Sequence, residues 1–145
     1  MATFATISDL LEVEPTIQDY GQLDFDIELV KSQTEVIRVL TVRWWNSYKK
    51  RLSLGDSARL DADLLTAAQW TQATVYHSLA YHICPKLTQF SPETDKFQVM
   101  MEYYRGRFEH EMDLCIREGV QYDADDSGTV SDTERVTIAT LRLQR

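Results

Sequence analysis

Asp123, Asp125, Ser127, Thr129, Ser131 and Glu134 fall at positions 1, 3, 5, 7, 9 and 12 of one short acidic stretch. That spacing can cage a hard cation, because each of these residues brings an oxygen to a common centre. Asp123, Asp125 and Ser127 offer short oxygen-bearing side chains, Thr129 its carbonyl, Ser131 a water-mediated contact and Glu134 a bidentate carboxylate. Gly128 stands at position 6, where the chain must turn sharply through a backbone conformation few other residues adopt. Val130, at position 8, is the apolar residue that pins the loop to the body, and Asp126 and Asp132 add negative potential. The ion expected is calcium in a structural role. A sensor needs an exit helix that can swing, whereas Arg135 to Arg145 (RVTIATLRLQR) is rich in β-branched residues and reads as extended. An acidic, Gly-containing segment also serves as a solvated turn, so the plain turn stands beside the cation loop.

Other chemistry fails on spacing. His110-Glu111-Met112-Asp113-Leu114 begins like a zinc-protease helix, but Leu114 occupies the place of the second histidine. His77 and His82 are five apart, which on a regular helix puts them on different faces; they read as boundary histidines without a shared metal. There is no Gly-rich phosphate loop, no nucleophile elbow and no cysteine–histidine spacing for covalent catalysis. Carboxylates are plentiful, but nothing selects one pair as acid and base. The expectation is a protein that is not an enzyme. Cys84 and Cys115 form no framework and read as small core or boundary residues of a reducing compartment.

The elements that must position the acidic loop are helical. A short helix is expected over TISDLLEVEPTI, capped by Thr6 or Ser8 and ended near Pro15. From about Asp24 to Leu52 runs the longest pattern, with Leu29, Val36, Ile37, Leu40, Trp44 and Tyr48 recurring at three and four residues. A third helix is expected from about Asp61 to Ile83, stopped by Pro85. A fourth opens at Ser91-Pro92-Glu93, carries Phe97, Met101, Tyr104, Phe108, Met112 and Cys115 on one face, and ends at Gly119. The fold class is therefore mainly α. It is expected as an antiparallel helical bundle of three long helices plus a short N-terminal one, with an EF-hand-like acidic loop and an extended C-terminal arm. Residues 1–122 would make the bundle, 123–134 the calcium-type loop and 135–145 the arm, within a single domain of 145 residues.

Charge narrows the partners. The net charge of -8 argues against broad attraction to nucleic acid or anionic membranes. No apolar run approaches the length of a membrane span, and no basic-then-apolar start marks a signal peptide, so synthesis in a cytoplasm is expected. Acidic residues dominate from Met1 to Val30, where Lys and Arg are absent, whereas Arg135, Arg142 and Arg145 follow the acidic loop. Such ends suit contact between copies or with an assembly partner, or simply solvated faces. Val136, Ile138, Leu141 and Leu143 are too apolar for a solvated tail and too few to fold alone, so they need a surface, with the three arginines offering fixed charges beside them. Their own helices are one such surface. Neighbours on a regular helix point about 100° apart, so Trp45 and Tyr103, adjacent to the core members Trp44 and Tyr104, would lie at the edge of the apolar stripe. They are the candidate interface residues, with burial within the monomer as the equal alternative.

Five segments, in order, carry a resemblance. They are Glu14 to Gly21 (EPTIQDYG), Val42 to Trp45 (VRWW), Ala73 to Leu79 (ATVYHSL), Tyr103 to Phe108 (YYRGRF), and the loop opened by Tyr122-Asp123 with its Arg-containing tail. Together they resemble the head-to-tail connector (adaptor) proteins of tailed bacteriophages, over most of the chain. The resemblance implies a structural protein of the virion neck, made in the host cytoplasm. It implies a ring, commonly of twelve copies, between the portal and the tail or a second neck protein. The helical body would build the ring, and the arm, through Arg135, Val136, Ile138, Leu141, Arg142, Leu143 and Arg145, would dock on the portal. Fully extended, that arm spans at most about 35 Å, enough to cross a neighbouring subunit. An EF-hand-like loop does not define that family, so the calcium expectation rests on the loop alone. The alternative function is a cytosolic calcium-binding module that bridges or regulates another protein.

Overall fold

The computed structural model describes residues 3–20, 24–88 and 96–130. The arm, Ser131 and Glu134 of the acidic loop, and the Ser91-Pro92-Glu93 helix start lie outside the described residues. The chain is mainly helical, and the described residues contain no strand, only one isolated β-bridge between Leu65 and Tyr122. No helix among them is long and apolar enough to cross a membrane.

Helix α1 (Ile7–Val13) starts where the Asp9 carboxylate accepts hydrogen bonds from the Thr6 backbone N–H, at 2.8 Å, and from its hydroxyl, at 3.1 Å. It buries Leu10 and ends at Val13, two residues before Pro15. Helix α2 (Asp26–Leu40) opens with Asp26 and Glu28 in the first turn, where negative charge complements the helix dipole. A π-helical turn, Thr41–Trp45, joins it without a break to α3 (Asn46–Arg51), whose last turn carries Lys49, Lys50 and Arg51.

Helix α4 (Ala67–Ser78) begins six residues later than periodicity predicts. Asp61 takes the Asp63 N–H on its own side chain at 3.0 Å and caps a 3-10 turn at Ala62–Leu64, and this local bond competes with helix. A second π-helical turn, Leu79–Ile83, then leads into α5 (Cys84–Leu87). Pro85 therefore does not stop the helix, contrary to expectation. It falls in the first turn after the π segment, a position that tolerates proline's missing N–H. Helix α6 (Lys96–Glu118) buries Met101, Tyr104, Phe108, Met112, Cys115 and Ile116. It ends as expected at Gly119, whose φ of 113° a side-chain-bearing residue rarely adopts.

Helix α4 packs against both α2 and α6. Along α2, Glu28 meets Lys86 of α5 and Glu35 meets His77 of α4. Along α6, Tyr104 stacks on Tyr76, and the Cys115 thiol donates to the Gln69 carbonyl. In both pairings rising residue numbers meet falling ones. The core has two parts. One gathers Leu40, Trp44, Trp45, Tyr48, Trp70, Phe108 and Met112; the other gathers Leu10, Ile17, Phe25, Leu79, Ile83 and Tyr104. Burial of these side chains removes on the order of 2 kcal/mol of apolar transfer free energy apiece from the unfolded reference.

Of the two places open to Trp45, the structure takes burial within the monomer. Trp45 was expected at the edge of the apolar stripe, but it is 3% exposed and its Nε1–H donates to the Ala58 carbonyl at 3.2 Å. The π turn is the reason: its wider winding lets two consecutive tryptophans both turn inward. The ring of Trp45 is thus no interface surface. Tyr103, the other candidate, is exposed.

Candidate functional site

The acidic loop is built onto the helical body at its root. Asp123 N–H donates to the Leu64 carbonyl at 2.9 Å, and Thr66 N–H donates to the Gln121 carbonyl at 3.2 Å. Between them the Tyr122 ring meets Trp44, Trp45 and Tyr48, and its hydroxyl accepts from the Asp61 N–H at 3.3 Å. Tyr122 is therefore a core residue that fixes where the loop begins.

From that root the first donor positions turn inward. Asp123 Oδ2 accepts from the Gly128 N–H at 2.8 Å, while its Oδ1 accepts from the Ser127 N–H at 3.1 Å. The Ser127 hydroxyl lies 3.2 Å from Asp123 Oδ1 and 3.1 Å from the Thr129 carbonyl. Asp125 Oδ1 is 3.2 Å from the Ser127 nitrogen. Asp126 and Gly128 take the left-handed conformation, with φ of 53° and 90°, which the tight winding requires. Asp123 is buried, and burial works to raise its pKa. The amide of Gly128, the contact with Asp125 and the two groups of Ser127 outweigh that and hold it below the usual carboxylate value. Thus Asp123, Asp125, Ser127 and Thr129 are brought together. Ser131 and Glu134 lie outside the described residues, as do the portal-docking candidates of the arm.

A second cluster was missed by sequence reasoning. His77 and His82 do share a site: His77 Nε2 is 2.8 Å from Glu35 Oε2, and His82 Nε2 is 3.7 Å from Glu35 Oε1. Five residues of regular α-helix would separate the histidines by about 140°. The π turn at Leu79–Ile83 intervenes, closing i to i+5 and bringing them to one face. The ring centroids are 5.6 Å apart. His77 also lies 3.1 Å, through Nδ1, from the Ser32 hydroxyl, and its ring sits edge-on to Phe108. Burial lowers the His77 pKa to about 4, against the pull of Glu35 and with some help from His82, so at neutral pH the imidazole is uncharged. Its Nε2–H donates to Glu35, which leaves Nδ1 to accept from Ser32. Two histidines at i and i+5 are a signal only to a reader who knows a π turn lies between them.

Beside this cluster, Glu35, His77, Arg38, Val39, Val42 and Arg43 line a cleft of about 430 Å³. No known protein family, no curated protein and no solved structure matches the chain.

Proposed function

We propose that this protein is a structural subunit of the neck of a tailed bacteriophage, an adaptor that joins the portal to the tail. In this reading the helices form an antiparallel bundle that builds a ring, with twelve copies as the expected number, and the C-terminal arm docks on the portal. One observation supports it above others: the separate segments that carry the resemblance interlock. Glu14 accepts from the Tyr104 hydroxyl, Tyr104 stacks on Tyr76, and His77 packs on Phe108. Trp44 and Trp45 meet Tyr122 at the loop root. Residues scattered over the chain thus join one body that includes the root of the acidic loop. Exposed apolar side chains on α2 (Ile27, Val30) and α6 (Val99, Tyr103) offer contact area to neighbouring copies.

The cation belongs to the same reading. Calcium, held by Asp123, Asp125, Ser127 and Thr129 with Ser131 and Glu134, would stiffen the loop and set the angle at which the arm leaves the body. The test is to mix the purified protein with the cognate portal and image the mixture by negative-stain electron microscopy. A ring seated on the portal is the expected result. A protein that stays monomeric with its portal and changes shape on adding calcium would replace the adaptor with a calcium-binding module.

A further inference from the structure

We propose that Glu35, His77 and His82 form a binding site for a divalent transition-metal ion, with Zn²⁺ as the fitting species. This site is separate from the acidic loop and independent of the adaptor reading.

The donor set comes first. Two imidazoles and one carboxylate are the ligands that Zn²⁺ and its late first-row neighbours take, whereas calcium and magnesium want oxygen shells. The three ligand atoms all lie within 4.8 Å of one another. A four-coordinate ion with bonds of 2.0–2.1 Å needs donors about 3.3 Å apart. The 2.8 Å and 3.7 Å separations, each to a different oxygen of Glu35, bracket that figure, and side-chain rotation would bring the three donors onto one ion.

The second observation is an unsatisfied atom. His82 Nε2 is buried and has no hydrogen-bond partner, although the side chain as a whole is 18% exposed. A buried ring nitrogen left without a partner costs free energy. It sits 3.7 Å from Glu35 Oε1, beyond hydrogen-bonding range. A metal ion would supply the partner this nitrogen lacks.

The third is the support behind the ligands. Ser32 can donate to His77 Nδ1 or accept from it. On metal binding His77 would lose the Nε2 proton and carry it on Nδ1 instead, with the Ser32 oxygen accepting. A ligating histidine is commonly oriented in this way through its second nitrogen. The two histidines come from one helix whose π turn sets their common face, and the carboxylate from the helix packed against it. Access is available, since Glu35 is 42% exposed while His77 is almost fully buried. Three protein donors leave a fourth position for water or a small anion, and the cleft lined by Arg38 and Arg43 has space for one.

The experiment is titration of Zn²⁺ and Co²⁺ into the full chain after chelator treatment, followed by calorimetry and visible absorption. A single Zn²⁺ is expected, together with the strong visible bands of Co²⁺ at low coordination number. Both should persist in an Asp123→Asn, Asp125→Asn variant. Glu35→Gln and His82→Gln should each weaken Zn²⁺ by at least about 100-fold with helix content unchanged, and Ser32→Ala by about 10-fold. Glu35 is the most exposed of the three ligands, so Glu35→Gln keeps the comparison if a histidine variant does not fold. Zn²⁺ binding that is absent, equal in wild type, Glu35→Gln and His82→Gln, or lost only in the loop variant would overturn the site.

Discussion

Trp44 and Trp45, consecutive in the chain, both present their rings to Tyr122, with centroids 5.6 and 5.5 Å away. Tyr48 closes the group by stacking on both tryptophans. The arrangement depends on the π turn at Thr41–Trp45, since a regular helix would turn one of the two indoles outward. It joins the end of the long α2–α3 helix to the start of the acidic loop.

Truncating either tryptophan to Ala should therefore be comparably severe. Each is expected to cost about 3 to 5 kcal/mol in urea unfolding, because each leaves a large cavity in the same cluster. A Trp45→Ala variant within 1 kcal/mol of wild type would show that its ring is not part of the core. Phe108→Ala, in the same cluster, should also cost about 3 to 5 kcal/mol.

The loop predicts a calcium-dependent change in melting temperature. An unpaired site of this ligand set should bind with a dissociation constant of about 10⁻⁵ to 10⁻³ M. Asp123→Ala combined with Glu134→Ala should lower thermal stability only when calcium is present. Calorimetry without a heat of binding, and a melting temperature that calcium leaves unmoved, would remove the cation from the loop.

Gly128 gives a smaller, cation-free test. Its φ is 90°, and nothing lies within 4 Å of where a Cβ would sit, so Gly128→Ala meets strain but no clash. The expected loss is about 1 to 2 kcal/mol if the loop is part of the cooperative unit. An unchanged unfolding midpoint would mean that the loop opens independently of the helices.

Cys115 carries a pH signature. Burial first, then the Glu111 carboxylate, pushes its thiol up from 9.0 to about 12. The folded protein therefore holds this proton more tightly than the unfolded chain does. The stability this contributes is complete below pH 9 and is lost as pH rises from there toward 12. Alkylation of Cys115 at pH 8 should be slow in the native state and become fast on unfolding, as mass spectrometry of the labelled chain would record.

Deleting Val136 to Arg145 tests the arm directly. Helix content and thermal stability should stay near wild type, while association with the portal is abolished. A truncated protein that still joins the portal would move docking to the helical body.

The apolar stripes made the helices legible. Leu40, Trp44, Tyr104 and Phe108 were expected to be inward-facing, and all four are buried. The caps were legible in part: Thr6, one of the two residues expected to cap α1, is the one that does so, and Gly119 ends α6, whereas the partnership of Thr6 with Asp9 was not foreseen. The π turns were not. Each changes the winding by one residue in a stretch whose composition is ordinary for a helix, so the 3.6-residue period applied on either side fails across it. That single irregularity accounts for the misassigned face of Trp45 and for the missed meeting of His77 with His82. The late start of α4 has a different cause, since the side-chain bond of Asp61 is a local competitor that periodicity does not register.

The bridge between Leu65 and Tyr122 also determines how the molecule would carry load. A pull on the chain beyond Val130 would reach the body between Asp123 and Gln121, where backbone bonds run to Leu64 and Thr66 respectively. From there it divides, one branch entering the start of α4 and the other the stacked rings of Trp44, Trp45 and Tyr48. The root of the acidic loop would work as a braced mount. Tension along the tail end would be shared between two helices before it could peel α6 away from its C-terminus.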